Sequence, residues 1–405
     1  MSPLNASHGE WLEDTVRRLG ADLGVPDFVY LPAVVAKGRA TREVGDGFLI
    51  SGQKGAILQV KSRDAKAGIN DGPETLHVLE KMVDDAARQA QGSRREIERR
   101  WDLGTPVSTL PFRALSLPAP RRDQYLLKLT RDAATWPSII VVDHPLAGGH
   151  CLKARPDALV LTLSDWRDLH RALSSTAAFI TYAERVLGAD PAACPPLGCE
   201  SLRFKAVVEA DRKWVTAGGP TARPWVAGPA EPTSVGLINE LIAHVWEDDS
   251  PVPWTKASDY RRIVAVLDGV PPGARDDLAQ GILRARARLT EHGQQAGWTS
   301  LLNDEQLIVY SCDFLENHGS PGGYLAWIAT VTQCRREQWA EQSGLSVSAL
   351  GVGLLLRKGS PSTLYCYCYL DGDVPRLAPE LRAEVERVRG SFTPRRRGPR
   401  HSDPD

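Results

Sequence analysis

Apolar residues recur at helical spacing near the amino terminus of the chain. Leu12, Val16, Leu19 and Leu23 lie three or four residues apart, and this pattern predicts an amphipathic helix over residues 9–23. The Gly-Val-Pro sequence that follows predicts the end of this helix.

Short apolar runs predict strands after the first helix. Residues 28–36 predict one strand, and residues 46–50 and 56–61 predict two more. Residues 51–55 have the composition of a turn, so the last two strands should form an antiparallel β-hairpin.

The clearest helical pattern covers residues 71–100. Asp71 or the residue after it can cap this helix, and Pro73 fits its first turn. Its apolar stripe comprises Leu76, Leu79, Met82, Val83, Ala86 and Ala90.

A second α/β segment follows a proline-rich connector at residues 105–122. Residues 138–142 and 158–163 predict strands, and residues 165–187 predict a helix capped by Ser164. These strands could complete the first sheet or form a layer of their own.

The last part of the chain predicts a separate α+β domain. Residues 235–246 and 259–296 have helical patterns. Strand character is found at residues 306–314, 324–332, 351–356 and 363–370.

These patterns predict an α/β architecture in several parts. The parts are a mixed α/β core at 1–105, an α/β extension at 106–200, a linker at 201–234, an α+β domain at 235–390 and a disordered basic tail at 391–405.

Composition and charge restrict the class of protein only weakly. A formal net charge of -1 means that any nucleic-acid-binding surface has to be local. One basic run contains Arg94, Arg95, Arg99 and Arg100, and it can be either such a surface or a solvated helix face. Seven dispersed cysteines, the lack of a long apolar run and the lack of a secretion signal predict a cytoplasmic protein with reduced thiols that does not enter membranes.

The predicted hairpin groups residues that suit phosphodiester chemistry. Side chains alternate along a strand, so Gln59 and Lys61 should share one face while Val60 points into the core. An antiparallel hairpin places the start of its first strand beside the end of its second, so Asp46 should lie near both. An acid, an amide oxygen and an ammonium can hold a divalent cation and stabilise a charged transition state.

This pattern resembles the PD-(D/E)XK nuclease superfamily. An Asp followed about a dozen residues later by Gln-x-Lys is similar to its Mrr-like restriction endonuclease branch. Glu13, in a Gly-x-x-Leu-Glu sequence at the first helix, matches a Glu that reaches the metal site in that branch. Glu43 resembles the Glu-x-x-Asp of related members. The resemblance covers about residues 5–100.

The resemblance implies a metal-dependent nuclease core, a mixed sheet flanked by helices. It implies Glu13, Asp46, Gln59 and the Val60 carbonyl as ligands of Mg²⁺ or Mn²⁺. It implies that Lys61 positions the attacking water or stabilises the charge of the transition state. The resemblance further suggests Arg63 and Gln89 as contacts to a phosphate of the substrate.

Two residues depart from the family pattern. Gly45 stands where the family name has Pro, and Gln59 replaces an acidic ligand. A neutral amide binds Mg²⁺ more weakly than a carboxylate, so metal affinity should depend mainly on Asp46 and Glu13.

Three hypotheses about function follow. The first is a Mg²⁺-dependent nuclease acting on DNA in bacterial restriction, defence or repair, in which the C-terminal domain recognises substrate, a protein partner or a second copy. The second is a weakened nuclease fold that serves as a nucleic-acid-binding or protein-interaction scaffold. The third is a DNA-binding regulator built on a helix-turn-helix at residues 338–350, but Gly351 and Gly353 favour a helix, a turn and a strand there.

Overall fold

The computed structural model describes residues 7–37, 40–63, 73–118, 122, 125–188, 194–216, 231–246, 257–293, 296–302, 306–358, 363–372 and 376–387. The chain divides into two compact units, one built mainly from residues 1–219 and the other mainly from residues 230–405. Both units combine helices with a sheet, so the protein is of mixed α/β class.

The first unit contains residues 1–105, the segment for which a nuclease-like core was predicted. Its strands are β1 Val29–Tyr30, β2 Ala33–Lys37, β3 Ala40–Val44, β4 Gly47–Ser51, β5 Lys54–Ser62, β6 Ser108–Thr109, β7 Leu127–Lys128, β8 Ser138–Asp143 and β9 Ala158–Thr162. Its α-helices are α1 His8–Leu23, α2 Pro73–Asp102, α3 Leu163–Leu173, α4 Thr176–Leu187 and α5 Glu200–Thr216. Short 3₁₀ helices lie at Pro26–Phe28, Phe112–Ser116 and Arg131–Thr135.

A mixed five-stranded sheet forms the centre of this unit, in the order β1-β4-β5-β8-β9. Strands β1, β4 and β5 are antiparallel neighbours, whereas β5, β8 and β9 are parallel. The second α/β segment therefore completes the first sheet, which was one of the two predicted possibilities.

Helices cover both faces of this sheet. Leu58 and Val60 of β5 pack with Leu12 and Val16 of α1, in a cluster that also includes residues of α3 and α4. On the opposite face, α2 packs on β8 through a second cluster. Each face is therefore shielded from water by helices, as the apolar character of the central strands requires.

Local sequence explains where the first helices begin. Ser7 accepts a hydrogen bond from the Glu10 amide, and the Glu10 side chain reaches back to the Ser7 amide, which is a capping box at the start of α1. Thr162 and Asp165 form the same arrangement at the start of α3. The prediction that Ser164 caps this helix is therefore wrong, because the cap lies two residues earlier.

Two predicted elements of the first unit are interrupted. The strand predicted at residues 28–36 is divided at Leu31 and Pro32, because proline has no N–H for a sheet; β1 then pairs with β4 and β2 with β3. The helix predicted at 165–187 is two helices, since Ser174 adopts a left-handed conformation (φ 47°) and Ser175 caps α4.

The predicted linker at 201–234 is wrong for its first half. Phe204 and Val208, four residues apart on α5, are buried in the core of the first unit. The predicted linker began too early because Gly and Pro become dense only after this helix. Residues 217–230 of that linker, the tail at 391–405 and the predicted cap at Asp71 lie outside the described residues.

The second unit has its own four-stranded sheet, in the order β10-β11-β12-β13. Its strands are β10 Ala296–Leu302, β11 Gln306–Phe314, β12 Ser348–Leu356 and β13 Thr363–Leu370. Its helices are α6 Pro232–Trp246, α7 Ala257–Asp268, α8 Pro272–His292, α9 Pro321–Ser343 and α10 Pro379–Arg387, with a 3₁₀ turn at Leu315–Asn317.

Helix α9 connects β11 to the parallel strand β12 and packs on β12 and β13. Cys366 and Cys368 of β13 face α9, whereas Tyr365 and Tyr367 face the other way and hydrogen-bond α6. Gly353 leaves no room for a Cβ atom beneath the Tyr324 ring. Glycine in β12 therefore permits close packing of α9.

Three predictions in the second unit need correction. Residues 324–332 were predicted as a strand but belong to α9, because their aromatic and β-branched residues concealed a helical spacing of buried positions. The helix predicted at 259–296 is two helices, separated at Gly269–Pro271. Residues 338–350 form no second helix: α9 ends at Gly344 (φ 73°) and β12 begins at Ser348, which confirms the favoured interpretation of that sequence.

Within the part of the chain that the structure describes, no helix combines the length and the apolar composition needed to cross a bilayer.

A buried histidine joins α3 and α4 in the first unit. The His170 ring stacks on Phe179 (4.2 Å between ring centroids) and meets the edge of Trp166 (4.4 Å). Among the residues that the structure describes, neither of its buried ring nitrogens has a hydrogen-bond partner, and burial lowers the pKa of His170 to about 3.

This histidine should make the first unit sensitive to acid. Because the pKa is about 3 in the folded state and near 6.5 in the unfolded state, the unfolded chain binds the additional proton and stability falls as the pH drops below about 6.5. We expect the free energy of unfolding to fall by about 2 kcal/mol more between pH 7 and pH 5 in the wild type than in His170→Leu. Urea denaturation at the two pH values measures this; equal losses would contradict the buried neutral state.

Candidate active site

The hairpin of β4 and β5 positions the candidate acid. Gly47 pairs with Leu58 and Ser51 with Lys54, and the Asp46 amide extends the pairing by donating to the Leu58 carbonyl at 3.0 Å. The next hydrogen bond from β5 goes to a side chain: Asp46 Oδ2 accepts from the Val60 amide at 2.7 Å. Asp46 therefore lies beside the segment that contains Gln59 and Lys61.

Gly45 makes this approach possible. It adopts a left-handed conformation (φ 71°) between β3 and β4, and its amide donates to Ser93 Oγ of α2 at 3.0 Å. Proline, whose φ is fixed near −65°, cannot adopt this conformation. The departure from the family pattern at this position therefore has a physical reason in this chain.

The side chain of Lys61 is held in place by a residue of α2. Its Nζ donates to Gln89 Oε1 of α2 at 2.6 Å. Its positive charge also acts on Asp46, where it opposes the rise in the pKa of that carboxyl. The structure thus brings Asp46, Lys61 and Gln89 into one neighbourhood.

Glu13 reaches this neighbourhood from α1, on the other face of the sheet. Arg17, one helical turn later, lies 3.5 Å from Glu13 Oε2 and donates to the Asp46 carbonyl at 2.8 Å. Only 13% of the Arg17 side chain is exposed, so this link is largely shielded from solvent. The sequence interpretation missed Arg17, although its i, i+4 spacing from Glu13 is a recognisable signal.

Burial and neighbouring acids destabilise the ionised forms of Glu13 and Asp46. Burial, and then repulsion from Asp46, raises the pKa of Glu13, while Arg17 opposes this rise. Burial also raises the pKa of Asp46, and Glu43 adds to that rise. A bound cation would relieve both effects, because it favours carboxylates in their charged form.

Gln59 is buried, with 2% of its surface exposed. Its Oε1 atom has no hydrogen-bond partner among the residues that the structure describes. An unpaired buried acceptor is costly, so its retention calls for an explanation. The predicted ligand atoms of Gln59, Asp46 and Glu13 are all oxygens, which is the donor type that a hard cation such as Mg²⁺ prefers.

The described structure shows fewer grouped carboxylates than a metal centre with several acidic ligands would have. Within the described ranges, no three or more His, Cys, Asp or Glu side chains form a group that could hold a metal ion. The Val60 amide is engaged with Asp46, and the role of the Val60 carbonyl as a ligand stays a prediction. The ligand set of Glu13, Asp46, Gln59 and Val60 therefore awaits a binding measurement.

Arg63 lies apart from the Lys61–Gln89 pair. Its amide donates to the Asp143 carbonyl at 3.1 Å, and its charge contributes, after burial, to lowering the pKa of His144. Asp143 also pairs with His8 at 3.2 Å. Arg63 is therefore placed at the ends of β5 and β8, away from the groove that Lys61 and Gln89 line.

A scan against known protein families, a search of curated proteins and a search of solved structures each found no match.

The unpaired oxygen of Gln59 generates a stability prediction. Gln59→Leu removes a buried acceptor without a partner, so we expect the free energy of unfolding to rise by about 1–2 kcal/mol. Gln53→Leu, in the exposed turn of the same hairpin, is the matched control and should change stability by less than about 0.5 kcal/mol. Urea denaturation of both variants gives the comparison; destabilisation by Gln59→Leu would show that the amide makes a favourable interaction in the folded chain.

Proposed function

We propose that the protein is a Mg²⁺-dependent nuclease that hydrolyses phosphodiester bonds, with DNA as its substrate. The observation that carries this proposal is the position of Asp46. A hydrogen bond from Val60 fixes it, Lys61 opposes the rise in its pKa, and its own charge raises the pKa of Glu13 on α1. A buried acid beside a lysine and a second acid is the combination that phosphodiester hydrolysis requires.

Each residue has a role in this proposal. A divalent ion, when bound, polarises the phosphate and lowers the pKa of a water molecule. Asp46 and Glu13 supply negative oxygens for it, and Gln59 supplies a neutral one. Lys61, held in place by Gln89, stabilises the charge that develops on the phosphate or orients the attacking water.

Arg17 is a positioning residue in this arrangement. It contacts the Asp46 carbonyl and the Glu13 carboxylate, so it couples the hairpin to α1. Its positive charge also opposes the rise in the pKa of both acids, which keeps them closer to the ionised form that metal binding needs.

A second candidate function is a nucleic-acid-binding or protein-interaction scaffold. Two observations favour it: Gln59 is neutral where an acid would bind metal more strongly, and the described residues contain no group of three metal-binding side chains of the His, Cys, Asp or Glu type. In either case we propose that the second unit contributes to recognition of DNA, of a partner or of another copy of the chain.

A cleavage assay tests the proposed activity. Purified full-length protein is incubated with supercoiled plasmid, linear duplex and single-stranded DNA in Mg²⁺, in Mn²⁺ and in EDTA. We expect cleavage with metal and none in EDTA. We expect Asp46→Asn and Lys61→Met each to reduce the rate at least about 100-fold, because each removes charge stabilisation at the reacting phosphate.

Lys54→Ala is the matched control for this assay. Lys54 lies at the other end of β5 and pairs with Glu184 at 2.9 Å, so its loss should leave the rate within about twofold. Thermal melting of each variant separates loss of the site from loss of the fold. Cleavage that persists in Asp46→Asn or in EDTA would contradict the assignment of the site, and no cleavage by the wild type would favour the scaffold.

A further inference from the structure

A groove runs along α2 on the side that faces β2 and β3. It consists of two cavities of about 640 Å³ and 520 Å³. Arg42, Glu96 and Arg99 line both cavities, so the two are continuous. Lys61 and Gln89 line the first cavity, and Thr105 lines the second. The groove therefore includes the Lys61–Gln89 pair of the candidate active site and continues along α2 as far as Thr105.

The lining of the first cavity is strongly basic. Five cationic side chains and two acidic ones line it, in a chain whose formal net charge is -1. Its cations are Arg42, Lys61, Arg88, Arg95 and Arg99, and its acids are Asp85 and Glu96. Positive charge is thus concentrated in this groove, which makes it complementary to an anionic ligand.

The acids of the groove are already engaged within α2. Asp85 pairs with Arg88, and Glu96 pairs with Arg99 at 2.6 Å and with Arg100 at 2.7 Å. In contrast, Arg42 and Arg95 have no acidic partner within 4.0 Å among the residues that the structure describes. These two guanidinium groups are therefore available to a ligand.

The spacing of the cations suits a linear polyanion. Arg88, Arg95 and Arg99 are exposed and separated by seven and four residues, which places them on one side of α2. At 1.5 Å per residue, Arg88 and Arg99 are about 16 Å apart along the helix axis. Since successive phosphates of one strand rise about 3.4 Å along a duplex, this distance corresponds to about five nucleotides.

Gly92 is a second, independent observation that supports a binding role for the groove. It lies inside the 30-residue helix α2, where glycine is unfavourable. A Cβ atom at this position would lie 2.7 Å from Arg42 Nη2, so a side chain at residue 92 would displace the Arg42 guanidinium from its position against the helix. The glycine thus permits a cation from β3 to enter the groove from the side opposite the α2 arginines.

We propose that this groove binds the phosphate backbone of one nucleic acid strand, and that the strand extends about five nucleotides from Lys61 along α2. The direction of the strand relative to a scissile phosphate rests on the proposed nuclease function, whereas the binding itself does not. Arg95 and Arg42 contact phosphates directly, and Gly92 is a positioning residue that acts through Arg42. Substrates shorter than the groove lose these contacts.

Binding in the absence of metal tests the proposal separately from catalysis. The probe is fluorescein-labelled DNA of 4, 8 and 12 nucleotides, single-stranded and as blunt duplex, titrated with the full-length protein in EDTA at low salt and followed by fluorescence anisotropy. The variants are Arg95→Ala, Gly92→Ala and, as the matched control, Arg171→Ala, an exposed arginine of α3 outside the groove.

We expect affinity to rise from 4 to 8 nucleotides and then to level off. Arg95→Ala and Gly92→Ala should each weaken binding roughly tenfold, and Arg171→Ala less than about twofold. The slope of log K against log salt should become shallower by about 0.9 in Arg95→Ala, because one phosphate contact is lost. Alanine is a better helix former than glycine, so Gly92→Ala should melt at or above the wild-type temperature while it binds less well.

Several results would overturn the proposal. They are equal binding by the groove variants and Arg171→Ala, affinity that does not depend on length between 4 and 8 nucleotides, and competition by polyglutamate as effective as that by unlabelled DNA. If the wild type binds as expected but cleaves nothing in Mg²⁺ or Mn²⁺, the nuclease function fails and the groove stands. If it cleaves and the groove variants bind and cleave normally, the nuclease function stands and the groove fails.

Discussion

The hydrogen bond from the Val60 amide to the Asp46 carboxylate is the interaction on which the candidate site depends. It joins β4 and β5 where their main-chain pairing ends. At that point a side-chain carboxylate, and not a main-chain carbonyl, accepts the hydrogen bond from β5. The left-handed conformation of Gly45 delivers Asp46 to this position, and the packing of Val60 under α1 keeps β5 in place. Lys61, the next residue of β5, then faces α2 because side chains alternate along a strand.

The site concentrates groups that do not stabilise the fold. The pKa values of the Glu13 and Asp46 carboxyls are both raised, and the Gln59 amide oxygen is buried without a partner in the described structure. Proteins tolerate such costs where the arrangement serves binding or catalysis, and stable packing elsewhere compensates. The same reasoning applies to Gly92, whose cost to α2 is matched by the entry of Arg42 into the groove. A cationic groove whose lining includes Lys61 fits a phosphodiester substrate better than a neutral ligand.

The sequence predicts those parts of this arrangement that depend on local pattern. The hairpin and the neighbourhood of Asp46, Gln59 and Lys61 follow from strand periodicity and one turn, and Gln89 followed from the resemblance alone. The burial of Gln59 could not be predicted, because it depends on α2 covering a face of the sheet. Arg42 and Gly92 were missed because they meet across a long sequence separation, and the contact of Arg17 with the Asp46 carbonyl was missed for the same reason, although its spacing from Glu13 is local. Residues 324–332 were assigned to a strand because intrinsic propensity was given more weight than helical spacing.

Calorimetric titration of the full-length protein with Mn²⁺ and with Mg²⁺, in two buffers of different ionisation enthalpy, tests the central claim most directly. If Asp46 and Glu13 share a cation, one metal binds and displaces protons, and the number released increases as the pH is lowered toward the raised pKa values of the two acids. Asp46→Asn should abolish this binding while Lys54→Ala retains it. No binding at millimolar metal, or binding that is unchanged in Asp46→Asn, would contradict the account.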